Sequence, residues 1–282
     1  MLRIAPFNVR IRSPLAAVKD HFQRFYAAYP VLDQASFVDF DLRVCPGAGI
    51  RRFWKPQSRF FLDDVDAFFP LPQQQAAPMF EWGLNWCVAS RPLGYLVMHA
   101  GVLAKRNAAL MMPGHPGAGK STLTASLNHL GGWRLLSDEL AILDPETGDL
   151  LPHPRPICLK NEAIDIVAGF DGAVMGPKYT DTRKGTISHV SCDQTSIENA
   201  QNRAKVNWVV FPRFEKGCRA KSSELSRVEA FSMISEQSFN RERMGEAGFN
   251  AMCAMLDNAS CHQIQYGSTQ AGLDLIKGIT ER

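Results

Sequence analysis

The chain has 282 residues, 45% of them hydrophobic and 21% charged, with a net charge of only +3. That composition is ordinary for a globular protein and leaves no basic stripe or aromatic–basic ladder of the kind nucleic-acid binders carry. Seven cysteines with no CxxC pattern argue against a disulfide framework or a zinc ribbon, and no apolar run approaches the ~20 residues that cross a bilayer.

The first ten or so residues alternate apolar and basic side chains and lack the unbroken apolar core of a signal peptide, so the expected location is cytoplasmic, with no membrane or nucleic-acid partner. Residues 3–12 read as a strand. Residues 15–28 fit an amphipathic helix, with Leu15, Val18, Phe22, Phe25 and Tyr26 on one face and Pro30 ending it. Further strands are expected over 37–44 and 53–62, parted by Pro46-Gly47-Ala48-Gly49. Residues 69–78, rich in Pro, Gln and Ala, read as a connector. A small α+β N-terminal domain is therefore expected over 1–75, followed by a second domain over 76–282. Residues 79–89 read as a helix whose Phe80, Trp82 and Trp86 pack a core.

After Gly94 the pattern becomes strand, loop, helix, strand: an α/β signature. Strand-like segments at 95–98 and 101–103 precede the apolar run 108–112, which leads into Gly114-His115-Pro116-Gly117-Ala118-Gly119-Lys120-Ser121. These residues fit G-x-x-x-x-G-K-[ST] in full. The glycines permit backbone conformations closed to other residues and bring N–H groups close to phosphate oxygens. The helix that follows offers free N–H groups and the positive end of its dipole to the same anion. Lys120 can reach the β- and γ-phosphates as a mobile point charge. Ser121 can ligate magnesium. Gly114, Gly117, Ala118, Gly119, Lys120, Ser121 and Thr122 form the candidate site for ATP with Mg2+. Leu123, Leu127 and Leu130 give the helix an apolar face, and Gly131-Gly132 stops it. The strand 133–137 then ends in Asp138-Glu139, where a protein with such a loop places its magnesium carboxylate. Ser121, Asp138 and Glu139 are the candidate metal ligands. One carboxylate can hold the metal while the other orients or deprotonates a nucleophile.

Taken together, His99-Ala100-Gly101 ahead of the loop and Arg134-Leu135-Leu136-Ser137-Asp138-Glu139 behind it resemble the HPr kinase/phosphorylase superfamily. The segments 80–87, 154–161, 184–189 and 208–213 are similar to its HPr-kinase-related kinase A branch. The resemblance implies a P-loop kinase core of the HPr kinase and phosphoenolpyruvate carboxykinase type, a mixed sheet flanked by helices. It also implies ATP- and Mg2+-dependent phosphorylation of a hydroxyl, a serine or threonine of a peptide or protein, with Asp138 as base and then acid and His99 in the active site. An associated PqqD-like peptide chaperone is a further implied partner. The Gly-rich segment tied to phosphorolysis is replaced here by 181–189, which implies a kinase without an efficient reverse reaction.

Other charged residues divide between functional and solvated readings. Arg155 and Lys160 could recognise phosphate, Lys184, Gly185 and His189 could form a mobile lid after the polar stretch 179–183, and Arg213 could stabilise the transferred phosphate. The full candidate catalytic set is Asp138, His99, Lys120, Lys184, Arg155 and Arg213. The alternative from another class is an ATP-switched binding module that gates a peptide partner without phosphorylating it. The sequence leaves base preference, acceptor and assembly open, a homo-oligomer included.

Overall fold

A computed structural model describes every residue except Gln34, Pro92 and Arg282. The chain is mixed α/β, with mixed sheets flanked by helices. The N-terminal strand expected over 3–12 is a hairpin of β1 (Leu2–Ile4) and β2 (Phe7–Arg12), turning at Ala5-Pro6. Pro6 has no N–H to continue a ladder, so the strand breaks there. The helix α1 (Ala16–Phe25) buries Val18 and Phe25 at helical spacing, together with His21, and crosses over to β3 (Phe40–Pro46), which runs parallel to β2. The sheet is completed by β4 (Gln57–Leu62), β5 (Val65–Asp66) and β6 (Leu71–Pro72).

The stretch 69–78 is not a free connector. It contributes β6 and a single 3-10 turn, Gln73–Gln75, and then opens α2 (Ala76–Ser90). Proline suggested a break, but Pro78 stands in the first helical turn, where the missing N–H has no intrahelical acceptor to lose. From Ala76 to Phe80 the helix is buried. Its Met79, Phe80 and Leu84 pack with Phe40, Leu42 and Phe60 of the first sheet, and the same core continues into Val97, Leu140 and Ile142 beyond the expected boundary.

The larger sheet follows in chain order. The segments expected at 95–98 and 101–103 are one strand, β7 (Leu96–Lys105), followed by β8 (Ala108–Pro113) and α3 (Lys120–His129). Next come β9 (Arg134–Ser137), β10 (Leu140–Leu143), β11 (Asp149–Leu151), β12 (Ile157–Lys160) and α4 (Glu162–Val167). Then follow β13 (Tyr179–Thr182), β14 (Gly185–Val190), α5 (Gln194–Glu198) and β15 (Ala204–Phe214). The chain closes with β16 (Lys221–Glu224), α6 (Arg227–Ser235), α7 (Arg241–Asp257), β17 (Ser260–Tyr266) and α8 (Thr269–Thr280).

Eight strands form this sheet in the order β11-β10-β7-β8-β15-β17-β16, with β9 also beside β7. The central β8, β15 and β17 run parallel to one another, and β7 runs antiparallel to β8. Being covered on both faces, the central strands read as continuous apolar runs. Met111 and Val209 face α6 and α7, while Met112 and Val210 face α3 and α8. The strands β12, β14 and β13 make a separate three-stranded sheet. The polar stretch 179–183, expected as a loop leading into a mobile lid, is therefore largely a strand. Tyr179, Thr180 and Thr182 suit a pleated surface, and Gly185, at φ 83°, closes a two-residue turn through Arg183-Lys184. No helix among the described residues is long and apolar enough to cross a membrane.

Candidate functional site

The glycine loop leaves the sheet where β8 ends at Pro113. Gly114, Gly117 and Gly119 all take positive φ, at 150°, 89° and 89°. These conformations suit glycine and let backbone N–H groups converge. The loop is fastened from the ends of the parallel strands β15 and β17. Phe214 N–H donates to Ala118 O at 3.1 Å, and Tyr266 Oη donates to Gly119 O at 3.4 Å. No side chain caps the first turn of α3, so its N–H groups remain available to an anion. Thr122 belongs to that turn, and its carbonyl accepts from Ser126 Oγ at 2.7 Å.

Lys120 is buried at 7% exposure and folds back on its own loop. Its ammonium donates to Gly114 O and, at 3.0 Å, to His115 O. Burial lowers its pKa, Asp138 and Glu139 push the other way, and the charge of Lys160 adds to the lowering.

The two carboxylates sit at the interruption between β9 and β10. Both strands run along β7, with Ser137 opposite Val102 and Leu140 opposite His99. Asp138 is buried at 6% exposure. Its Oδ2 accepts from Cys158 N–H at 3.3 Å, while Oδ1 is buried without a hydrogen-bond partner. Burial and the neighbouring Glu139 charge push its pKa up to about 7, against smaller lowering from Cys158 N–H, the Ser121 hydroxyl and Lys120. Glu139 is moved the other way. Burial alone would raise it, but the charges of Lys184 and Arg155 outweigh that and lower it. Its carboxylate accepts from Asn85 Nδ2 and from Lys184 Nζ at 3.4 Å.

His99 lies in the same cluster. Its backbone N–H donates to Gln237 O at 2.7 Å, and its ring meets Phe239 at 6.0 Å between centroids. Burial, followed by the positive charge of Lys120, lowers its pKa to about 4. At neutral pH it is an uncharged imidazole that can accept or donate a hydrogen bond.

The donor set fits a magnesium ion. Asp138 Oδ1 is a buried oxygen without a partner, and the Ser121 hydroxyl faces the same carboxyl. No three His, Cys, Asp or Glu side chains converge on a metal position among the described residues. The remaining ligands would therefore come from phosphate oxygens and water, as is usual for this ion. A small cavity of about 20 Å³ beside Asp138 and Glu139, bounded by Trp82 and Pro156, has room for about one water.

Several sequence expectations need correction. Both oxygens of Glu139 already accept hydrogen bonds, from Asn85 and Lys184, whereas Asp138 keeps one oxygen without a partner. Arg155 does not face the glycine loop. Its guanidinium is buried against Glu81 Oε2 at 3.0 Å and Asn85 Oδ1, so its hydrogen bonds go to α2 rather than to the glycine loop. Arg213 is not among the clustered charges. It pairs with Glu215 at 3.6 Å on the exposed strand end, and strand alternation turns it to the face opposite Phe214. His189, assigned to a lid, is a core residue at 1% exposure, edge-on to His21 at 5.4 Å. Lys184 does reach the site, from the hairpin turn. Lys160 lies near enough for its charge to bear on His99, Lys120 and Glu139.

Glu81 and Asn85 carry no role in the sequence reading. Their signal was present: two polar residues one turn apart on an otherwise apolar helix, the spacing that places side chains on one face. A separate groove of about 1200 Å³, lined by Lys105, Arg106 and Lys205 among others, lies at the other end of β8 and β15 and touches none of these residues. Comparison with known proteins finds no family model that matches the chain and no curated protein similar to it in sequence.

Proposed function

We propose that the protein is an ATP- and Mg2+-dependent phosphotransferase of the HPr-kinase-like type, acting on a hydroxyl of a peptide or protein. The observation that carries this reading is the meeting of Lys120, Ser121 and a partnerless Asp138 oxygen at the foot of a loop with three positive-φ glycines. Phosphoryl transfer asks a protein mainly for positioning and charge neutralisation. The loop and the first turn of α3 cradle the phosphates, and Lys120 exchanges its loop carbonyls for phosphate oxygens. Ser121, with Asp138 through a bound water, would hold the metal, which would supply charge neutralisation for the phosphates and leave the free Asp138 oxygen open to the acceptor.

Asp138, with its pKa raised to about 7, is matched to proton transfer near neutral pH. Its free carboxylate oxygen accepts the proton of the acceptor hydroxyl as the oxygen–phosphorus bond forms. The bond from the γ-phosphorus to the bridging oxygen breaks, and ADP leaves with that electron pair. His99 stays neutral and supports the γ-phosphate by hydrogen bonding, and Lys184 approaches from the hairpin to balance charge.

The test has two arms. Calorimetry should show MgATP binding that Lys120→Ala abolishes. Incubation of the protein with γ-labelled ATP and peptide fractions of its source cell should then place label on a serine or threonine. Binding without any labelled product would leave an ATP-gated binding module, and absence of binding would remove the phosphate-site assignment.

A further inference from the structure

The helix α2 is buried along most of its length, yet it carries Glu81 at 3% exposure and the part-buried Asn85 on one face. Glu81 Oε1 accepts from Tyr26 Oη at 2.8 Å and pairs with His21 Nε2 at 2.7 Å, both on or next to α1. Its other oxygen takes Arg155 NH1 at 3.0 Å. The same guanidinium donates through NH2 to Asn85 Oδ1. Asn85 Nδ2 in turn donates to Glu139, which receives Lys184. The orientation of the Asn85 amide follows from its neighbours. Reversed, its NH2 would face a guanidinium and its oxygen a carboxylate, and both contacts would be repulsive.

We propose that Asn85 and Arg155 are positioning residues of the transfer reaction: they hold Glu139 in place, Glu139 holds Lys184 over the site, and Glu81 with His21 anchors the chain of contacts to the N-terminal unit. This rests on the phosphotransferase reading above. Lys184 needs such an anchor. It stands on a two-residue hairpin turn, and a free lysine there would spread over many rotamers in solvent. Instead its side chain is only 38% exposed, lies 5.5 Å from the Trp82 ring centroid and points at Glu139. Glu139 offers a rigid target because Asn85 fixes its second oxygen. Asn85 is neutral, so Arg155 steers it without neutralising the carboxylate that Lys184 needs.

Lysine acylation followed by mass spectrometry tests the placement directly. In Asn85→Leu, and in Arg155→Lys, whose ammonium cannot serve Glu81 and Asn85 as a fork, Lys184 should acylate about 2–5-fold faster. Exposed Lys216 and Lys221 should keep their rates. MgATP affinity should stay within about twofold, and turnover should fall about 10–100-fold, the usual scale for loss of a supporting hydrogen bond. Lys184→Met should lower turnover similarly, and adding Asn85→Leu to it should cost less than about twofold more, because both act through one ammonium. Unchanged Lys184 acylation in both variants, or losses that multiply in the double variant, would overturn the proposal. A wild-type protein that transfers no phosphoryl group would sink the phosphotransferase reading instead, and the acylation result would still decide whether the chain of contacts holds Lys184.

Discussion

Replacing Asp138 by Asn should make the empty protein more stable while stopping its chemistry. The carboxyl is buried beside a second carboxylate, and its pKa is pushed from 3.8 to about 7. A folded-state pKa above the unfolded one means that the stability it permits is fully present below pH ~4 and is lost as pH rises to 7. About three pH units at 1.36 kcal/mol each set an upper bound of about 4 kcal/mol, and relaxation around the site reduces this to about 2–4. Asparagine keeps an oxygen for Cys158 N–H and carries no charge. Without metal or nucleotide, Asp138→Asn should match the wild type at pH 4 and exceed it by roughly 4–8 °C in Tm at pH 8. Phosphoryl transfer should fall by at least ~100-fold, the scale of losing a general base. Thermal unfolding in EDTA at both pH values is the assay. A variant less stable than the wild type at pH 8, or a gap that is the same at both pH values, would refute the reasoning.

Three further predictions bear on the loop and its supports. Lys120→Ala should remove MgATP binding by calorimetry while leaving a cooperative unfolding transition, because the ammonium contacts only the carbonyls of its own loop. Gly101→Ala should cost about 1–3 kcal/mol by denaturant unfolding, since the added Cβ would lie 2.5 Å from Thr124 Oγ1; adding Thr124→Ala should recover most of it, because that hydroxyl is buried without a partner. Glu81→Gln should cost about 3–5 kcal/mol at neutral pH by leaving Arg155 buried without its counter-charge. Although burial alone would raise it, the Glu81 carboxyl is held at about 2 by His21 and Arg155, below the ordinary 4.5. Its stabilisation is therefore present above pH 4.5 and lost as pH falls toward 2, and Glu81→Gln should flatten that acid limb in a pH titration of stability.

The sequence made legible what local pattern encodes. The glycine loop, its helix and the Asp-Glu pair were readable because each residue type answers a backbone or charge requirement within thirty or so positions. The amphipathic α1 was readable from its spacing. What escaped depends on pairing across the fold. Pro78 looked like a breaker because its place in a first helical turn is visible only once the helix start is known. The 179–183 segment looked like a loop because its strand character comes from pairing with β14. Arg155 looked like a phosphate ligand because nothing local reveals that Glu81, seventy-four positions earlier, claims its guanidinium.

Why two adjacent carboxylates should differ in role follows from the backbone rather than from their chemistry. Asp138 and Glu139 stand where β9 gives way to β10 along a single partner strand, and consecutive residues of an extended chain diverge to different surroundings. Asp138 receives one N–H and a nearby hydroxyl, which is too little to offset burial, so its proton affinity rises. Glu139 receives an amide and an ammonium, so its proton affinity falls. The two shifts reinforce each other, because a firmly ionised Glu139 is itself one cause of the raised Asp138. Pairs whose surroundings push them apart in this way divide labour between a proton acceptor and a fixed charge. The fixed charge here is the one tied through Asn85 and Arg155 to α1. The N-terminal unit is thus built into the electrostatics of the site, and it bears on Asp138 through the carboxylate next to it.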